Sequence, residues 1–407
     1  MLPVDVIRAL PKTDLHLHLD GSLRENTLIE LAKERKVELP SYTVEGLNEL
    51  VFRPQYADLF EYLQGFNYTC AVMTDAEAIE RIAYELAWDN INEGVRYIEV
   101  RFAPQLHVHP GFSIDEVCKA VNDGLYRAQQ EHAKTEAVAK NGEPLFHYGI
   151  IVCAMRFFVE QSSPWFGAQM KLMRETRGEE LYAMASLELA KAAVRLRDEE
   201  GIPIVGFDLA GAEYGHPAST HIEAFTYVHK NFMQKTVHAG EAYGPESIFQ
   251  AITDLHADRI GHGYHLFSPE LCGPDVADPK RYVDALCRYI ADHRITIEVC
   301  ITSNLQTNPD IVSAKNHAYR KMLDNRLSIS LCTDNRLVSH TTVTDELRLA
   351  LENYEFTPSL LRNTIVYGFK RSFFFRPYVE RRAYVRQVLD YYDKVIADYE
   401  ASKKQAQ

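Results

Sequence analysis

The sequence predicts a (β/α)8 TIM-type barrel, an α/β fold. Eight short runs rich in Val, Ile, Phe and Tyr alternate with helical patterns along the 407 residues, and this alternation is typical of parallel sheets covered by helices. Several of these runs are continuously apolar, as expected for parallel strands that are buried on both faces. A doubly wound open sheet has the same alternation and is the main alternative.

The predicted strands follow one another at spacings that leave room for a helix between most of them. In chain order they cover residues 13–19, 95–102, 147–155, 203–209, 236–239, 259–261, 295–301 and 328–332.

Capping and termination signals place several helices. Ser113 and Glu116 have the spacing of a capping box that opens a helix running to about residue 131. A long Ala-, Leu- and Lys-rich segment at 181–199 predicts a helix that ends before Gly201 and Pro203.

Two regions exceed a minimal barrel. An extra helical cap is expected at about 24–93, with helices near 27–36, 56–72 and 75–92, and C-terminal helices at about 357–402. Helices over the barrel mouth could separate a pocket from water. The end, 403–407, is expected to fray, and residues 1–407 are interpreted as one domain.

Composition excludes several classes of protein. The net charge of −13 argues against nucleic acid as a partner, since phosphate binding needs a surplus of Lys and Arg. The seven cysteines form no C-x-x-C pair, which is typical of reduced thiols. We find neither a signal-peptide pattern nor an apolar run of membrane-spanning length. A cytoplasmic location is therefore expected, while the oligomeric state cannot be inferred.

The fifth predicted strand ends at a histidine followed closely by an acid, His238-Ala-Gly-Glu241. Gly240 permits a sharp turn past the strand, so that both side chains can enter one cavity. A metal-bound water beside a carboxylate that is not a ligand is a common hydrolytic design. Alone, a His-x-x-Glu pattern is more often structural.

The first predicted strand supplies two more histidines. His16 and His18 are two residues apart and therefore face the same side of the strand. A chance pair is disfavoured, because two inward imidazoles without a partner would be costly to bury. With His238 and with Asp334 after the eighth strand, they make a His-His-His-Asp set that suits zinc and leaves one position open for water.

The sixth and fourth predicted strands add further candidates. His262 lies between two glycines and is placed to contact the attacking water, whereas His256 and His265 are expected to have no role. The fourth strand ends Asp208-Leu-Ala-Gly211 and offers no lysine that could bridge two metals, which favours a single metal.

Five motifs in order carry a resemblance to a known family. The chain contains His-Leu-His-Leu-Asp-Gly, Asp-Leu-Ala-Gly, His-Ala-Gly-Glu, Gly-His-Gly and Ser-Leu-Cys-Thr-Asp, spread over nearly its whole length. Together they resemble the adenosine deaminase family of the amidohydrolase superfamily. The resemblance implies hydrolytic deamination of adenosine or 2′-deoxyadenosine, a small nucleoside substrate and one Zn²⁺ per chain.

The resemblance also implies roles for single residues. Zinc would be bound by His16, His18, His238 and Asp334. Glu241 would protonate purine N1 as water attacks C6, with His262 and Asp334 holding that water. Substrate contacts are implied at His18, at Asp20 for the ribose, at the Gly211 backbone N–H for N3, and at Asn335.

One position departs from the family pattern. Asn335 and Arg336 stand where well-known members have a second aspartate and a proline. An amide NH2 can donate to purine N7 as a protonated acid would, but the departure leaves the substrate open. The alternatives are a deaminase for another 6-aminopurine (adenine, methylthioadenosine or a modified adenosine) and, more remotely, a catalytically silent barrel scaffold.

Overall fold

Eight parallel strands form one sheet in a computed structural model that describes residues 2–405. The strands are β1 (Lys12–His18), β2 (Val95–Phe102), β3 (His147–Met155), β4 (Ile204–Ala210), β5 (Gln234–Ala239), β6 (Arg259–His262), β7 (Thr296–Val299) and β8 (Ser328–Leu331). Their order in the sheet is the order in the chain, from β1 to β8.

The two outer strands meet and close the sheet. Leu17 in β1 pairs in parallel with Asp334 just after β8. The Asp334 N–H donates to the His16 carbonyl over 2.8 Å, and the His18 N–H donates to the Asp334 carbonyl over 2.8 Å. This closure confirms the (β/α)8 barrel and rules out the open doubly wound sheet.

Helices surround the barrel and cover one end of it. Their bounds are Val4–Ala9, Glu25–Arg35, Val44–Leu50, Leu59–Leu63, Phe66–Val72, Ala76–Asn92, Ile114–Ala133, Glu136–Ala139, Pro164–Leu172, Gly178–Asp198, Ile222–Lys230, Pro245–Thr253, Pro279–His293, Ile301–Thr307, Tyr319–Asp324, Val343–Asn353, Pro358–Arg371 and Tyr378–Gln405. Short 3-10 turns lie at Pro104–Leu106, Ala218–His221, Tyr264–Phe267, Pro269–Leu271 and Ala314–Asn316. Of the helices described, none combines the length and apolar character that a membrane crossing requires.

Most predicted boundaries are close to the observed ones. The capping box is formed, with the Ser113 hydroxyl accepting from the Glu116 N–H and the Glu116 carboxylate accepting from the Ser113 N–H. The strand predicted at 295–301 is shorter, because the helix Ile301–Thr307 begins directly after it. The predicted frayed tail is wrong for residues 403–405, which continue the last helix, while residues 406 and 407 lie outside the described part.

The helix predicted at 56–72 is two helices, Leu59–Leu63 and Phe66–Val72. The break falls at Gly65, whose Cα lies so close to the Phe52 ring that an added Cβ would be 3.2 Å from it. Asp58 caps the first helix by accepting from the Glu61 N–H over 2.8 Å. This broken segment lies over the barrel mouth, and both of its helices line the cavity there.

Candidate active site

The residues singled out from the sequence converge at the C-terminal ends of the strands. A cavity of about 760 Å³ opens there between the barrel and the helices of the 56–72 segment. Its lining includes His18, Asp20, Gly211, His238, Glu241, His262, Asp334 and Asn335, with His16 buried beside it. In TIM barrels this end of the strands carries the active site.

Four side chains at the cavity floor form a candidate metal site. One ligand atom from each of His16, His18, His238 and Asp334 lies within 4.8 Å of the others. The Nε2 atoms of His18 and His238 face each other at 3.1 Å, and the buried Nε2 of His16 has no hydrogen-bond partner. Nitrogen atoms brought together in this way, with one left unpaired, fit a cation that accepts their lone pairs.

Two carboxylates fix the orientation of the imidazole rings. His16 Nδ1 lies 2.9 Å from Glu298 Oε2, and His238 Nδ1 lies 3.0 Å from Asp208 Oδ2. Each carboxylate accepts a hydrogen bond from the Nδ1–H group of its histidine. The Nε2 lone pair of each ring therefore points toward the cluster. Burial alone would raise the pKa of Asp208, but His238 and Arg101 beside it hold that pKa well below its usual range.

The Asp334 carboxylate in the cluster is held by Ser303, on the helix that follows β7. Ser303 Oγ donates to Asp334 Oδ2 over 2.7 Å, while Oδ1 of Asp334 lies 3.4 Å from His16 Nε2. Asp334 has a φ of +63°, a left-handed conformation that is unfavourable for a residue with a Cβ. His262 has the same φ of +63°, and such strain is found mainly where function requires it.

His262 stands beside the cluster rather than in it. Its Nδ1 lies 3.2 Å from Asn304 Nδ2, and its Nε2 is buried without a hydrogen-bond partner, 3.5 Å from Glu241 Oε1. Burial holds the pKa of His262 well below its usual range. A neutral imidazole with one free nitrogen can accept a proton from, or orient, a water molecule in the cavity.

Glu241 is a buried carboxyl with a high proton affinity. Burial raises its pKa well above the usual range, and the nearby carboxylates of Asp334 and Glu213 raise it further, while Arg156 lowers it. Gly240 before it has a φ of +68°, so the turn that aims Glu241 into the cavity relies on glycine. The site therefore contains an acid whose protonated form is favoured by burial and by neighbouring negative charge.

Glu213 holds the loop that carries Glu241. Its two carboxylate oxygens accept the backbone N–H groups of Gly240 over 2.8 Å, Glu241 over 3.1 Å and Ala242 over 2.8 Å. Three charge-assisted hydrogen bonds fix the backbone at this turn. The acid is thus placed by a second, non-reacting acid.

The residues expected around a nucleoside line the upper cavity. Gly211 lines the cavity. Its φ is +96° and an added Cβ would lie 3.3 Å from Met155 Cε, so glycine suits this position. Asp20 lies 3.9 Å from His18 Nδ1, and its Oδ1 is buried without a hydrogen-bond partner. Asn335 donates from Nδ2 to the Tyr62 hydroxyl over 2.8 Å, which leaves the second hydrogen of Nδ2 uncommitted.

Other predicted positions lie outside this cluster. Arg336 forms an ion pair with Glu93 and donates to Asn90 Oδ1 over 3.2 Å. His256 stacks on His229 at 4.5 Å between ring centroids, and His265 bonds to the neighbouring Ser268 hydroxyl. Arg336 thus contacts the C-terminal end of the helix Ala76–Asn92 and does not line the cavity.

Sequence reasoning missed several residues that support the site. Glu298, Ser303, Asn304, Glu213 and Tyr62 each contact a predicted site residue or the loop that carries it. A signal existed for Glu298, since it is an acid inside a short apolar strand. Tyr62 and Glu213 lie in a helix and a loop whose approach to the cavity is not encoded by any local pattern.

Comparison with known proteins agrees with this geometry. The family model described as adenosine deaminase matches residues 11–391. The adenosine deaminase of Mycobacterium marinum is 35% identical over 92% of this chain and 93% of its own length. A probable adenosine deaminase of Dictyostelium discoideum is 35% identical over 91% of this chain, which spans only 42% of that protein.

A solved structure supports the same relationship. The crystal structure of the Arabidopsis N6-mAMP deaminase superposes with a TM-score of 0.71 at 25% identity, over 95% of this chain and 99% of that one. The family model and the Mycobacterium marinum relative each match almost the full chain. The protein belongs to the adenosine deaminase family.

Proposed function

We propose that the protein hydrolyses adenosine and 2′-deoxyadenosine to the corresponding inosines and ammonia, with one Zn²⁺ bound by His16, His18, His238 and Asp334. The observation that carries this proposal is the buried carboxyl of Glu241 at a point 3.5 Å from the free nitrogen of His262, beside the four-ligand cluster. A protonated carboxyl next to a site for activating water suits a hydrolysis in which the attacked group must be protonated.

The donor set fits zinc better than it fits harder cations. Three imidazole nitrogens and one carboxylate are ligands of the type that zinc prefers, and they leave a position for water. The unpartnered Nε2 of His16 and the facing Nε2 atoms of His18 and His238 support this assignment. Zinc, when bound, would lower the pKa of a water molecule toward neutrality.

Glu241 supplies the proton that the ring requires. Attack of water oxygen at C6 breaks the conjugation of the purine and places charge on N1. A protonated Glu241 donates its proton to N1, and His262 accepts a proton from the attacking water through Nε2. The protonated His262 then gives its proton to the C6 amino group, which leaves as ammonia. The proton of the C6 hydroxyl passes to the Glu241 carboxylate as the ring conjugation is restored, so both residues return to their starting forms.

The remaining residues orient the substrate. The Gly211 N–H is available for purine N3, and the free Nδ2 hydrogen of Asn335 for N7. Asp20 has a buried, unpaired oxygen that can accept a sugar hydroxyl. His18 lies beside Asp20 and contacts the same side of the substrate.

The charge of the cavity favours a nucleoside over a nucleotide. Among residues 2–405, no lysine or arginine lines the cavity, while Asp20, Glu241 and Asp334 do. A 5′-phosphate would therefore be buried beside carboxylates without a cation to pair with it. The Arabidopsis N6-mAMP deaminase, by contrast, is named for a nucleotide substrate.

A substrate panel tests the proposal. Purified zinc-loaded protein is assayed for ammonia release with adenosine, 2′-deoxyadenosine, adenine, methylthioadenosine and AMP. We expect the highest kcat/KM for the two unmodified nucleosides and much slower turnover of AMP. Preference for adenine or methylthioadenosine would assign the alternative aminopurine activity, and no ammonia from any of them would favour a silent scaffold.

A further inference from the structure

A second group of metal-ligating side chains lies in the same cavity, on its sugar side. One atom each of Asp20, Cys70 and His107 lies within 4.8 Å of the others. They come from three separate elements: the loop after β1, the cap helix Phe66–Val72 and the turn after Pro104–Leu106. All three line the cavity.

His107 is the side chain of this group with the most unsatisfied polar atoms. The residue is 3% exposed, and neither ring nitrogen makes a hydrogen bond. Burial lowers the pKa of the ring to about 4, and the nearby Met73 carbonyl opposes this shift only in part. The contact with that carbonyl does not meet the geometry of a hydrogen bond. A neutral imidazole buried beside a carbonyl can turn one N–H toward it and offer the other nitrogen to a cation.

The partners of His107 supply the complementary ligands. Asp20 Oδ1 is also buried and unpaired, so two side chains bring unsatisfied polar atoms to one place. Such atoms are costly to bury without a partner. A carboxylate oxygen, an imidazole nitrogen and a thiolate sulfur are the three ligand types found in zinc sites.

We propose that Asp20, Cys70 and His107 form a second binding site for a divalent cation of the zinc class. Binding replaces the Cys70 thiol proton, which is released to the buffer, by the cation. No lysine or arginine of residues 2–405 lines the cavity to repel the charge. Asp20 Oδ1 is 3.9 Å from His18 Nδ1, so an ion here blocks the sugar side of the cavity.

The consequence is inhibition by excess cation, and this part rests on the proposed function. A cation held at Asp20 competes with the nucleoside for the same space. Excess zinc should therefore raise KM and leave kcat unchanged. The binding site itself does not depend on which substrate the enzyme uses.

Cobalt(II) tests the site directly, because thiolate ligation to cobalt gives a charge-transfer absorption in the near ultraviolet. The four-ligand cluster contains no sulfur, so cobalt exchanged into it gives no such band. Zinc-loaded full-length protein is titrated with cobalt(II). We expect a band that saturates at about one cobalt per chain, and no band at stoichiometric excess would overturn the proposal.

Matched variants assign the ligands. Cys70→Ser and His107→Gln should abolish the band and reduce the zinc bound in excess metal from about two to about one per chain. Cys272→Ser removes a partly exposed thiol elsewhere, and His109→Gln removes a nearby ring whose two nitrogens already contact carbonyls. Both controls should keep the band.

The remaining outcomes are also decisive. A band that persists in Cys70→Ser, or that disappears in Cys272→Ser, would overturn the assignment. If Cys70→Ser does not fold, the zinc count of His107→Gln by equilibrium dialysis decides in its place, and a retained second zinc contradicts the proposal. A cobalt band without any aminopurine turnover would leave the cation site standing and overturn only the proposed function.

Discussion

The barrel interior and the barrel mouth both bury charged groups, but they treat them differently. In the interior, Arg101 contacts Asp208 and Glu298, while Arg259 contacts Glu298 and Glu99. At the mouth, His16, His107 and His262 each bury at least one nitrogen without a partner, as Asp20 does an oxygen. The ion pairs of the interior stabilise the fold. The buried atoms at the mouth that lack hydrogen-bond partners are available to bind ligands.

Glu298 connects the two regions. One of its oxygens accepts from Arg259 Nε over 2.7 Å, and the other lies 2.9 Å from His16 Nδ1. The paired charges below thus orient an imidazole above. The mouth can hold strained and unpaired groups because the ion pairs beneath it fix the positions of the side chains that carry them.

The largest expected effect is at the mouth. Glu241→Gln keeps the shape of the side chain but removes the acid, so turnover of adenosine should fall by about 10²- to 10⁴-fold, the usual contribution of general acid catalysis. Ammonia release measures this, with metal content and thermal unfolding as controls for the fold. The control Glu270→Gln, at an exposed position, should turn over adenosine at the wild-type rate. Near wild-type turnover by Glu241→Gln would exclude Glu241 as the proton donor.

In the barrel interior, Arg259→Met removes the cation that pairs with Glu99 and Glu298. Glu99 then loses its buried cation, so the free energy of unfolding should fall by about 3–5 kcal/mol, measured by urea denaturation. The exposed Arg320→Met should change it by less than about 0.5 kcal/mol. Equal stability of the two variants would show that the buried ion pairs of the interior do not stabilise the fold.

A milder change tests the support of the metal site. Ser303→Ala removes the hydroxyl that donates to Asp334 Oδ2, and metal affinity should fall by about 10- to 100-fold, as on loss of other groups that orient ligands. Competition with a chelator measures the affinity. Ser313→Ala, whose hydroxyl bonds only to Asn316 within its loop, is the control, and equal affinities would contradict a supporting role for Ser303.

The smallest effect is expected at the base. Asn335→Asp replaces the amide donor by a carboxyl that can donate to N7 only when it is protonated, so KM for adenosine should rise by about three- to tenfold at neutral pH, as on loss of one hydrogen bond. Metal content should stay at the wild-type value. Steady-state kinetics measures the change beside Asn316→Asp, which is remote and exposed; an unchanged KM would argue against contact with the base.

Local patterns in the sequence were sufficient for the barrel and for the residues at its strand ends. Strand and helix periodicities, the Ser113 capping box and the motifs that contain His18, His238 and Asp334 are read over a few residues each. The two-residue spacing of His16 and His18 placed both on one face because strands alternate. The prediction of one helical stretch at 56–72 failed, because the chain forms two helices, Leu59–Leu63 and Phe66–Val72. Gly65 lies between them against the Phe52 ring, a contact that no local pattern reports.

Tertiary structure alone decided which groups meet and which remain unpaired. Glu298 and His16 are separated by 282 positions in the chain, and no local pattern reports that they touch. Nor does any local pattern bring Asp20, Cys70 and His107 together. The sequence by itself determined the types of side chain at each strand end, because period and composition are local. The pairing, burial and proton affinity of those side chains depend on distances across the barrel, which only the closed fold establishes.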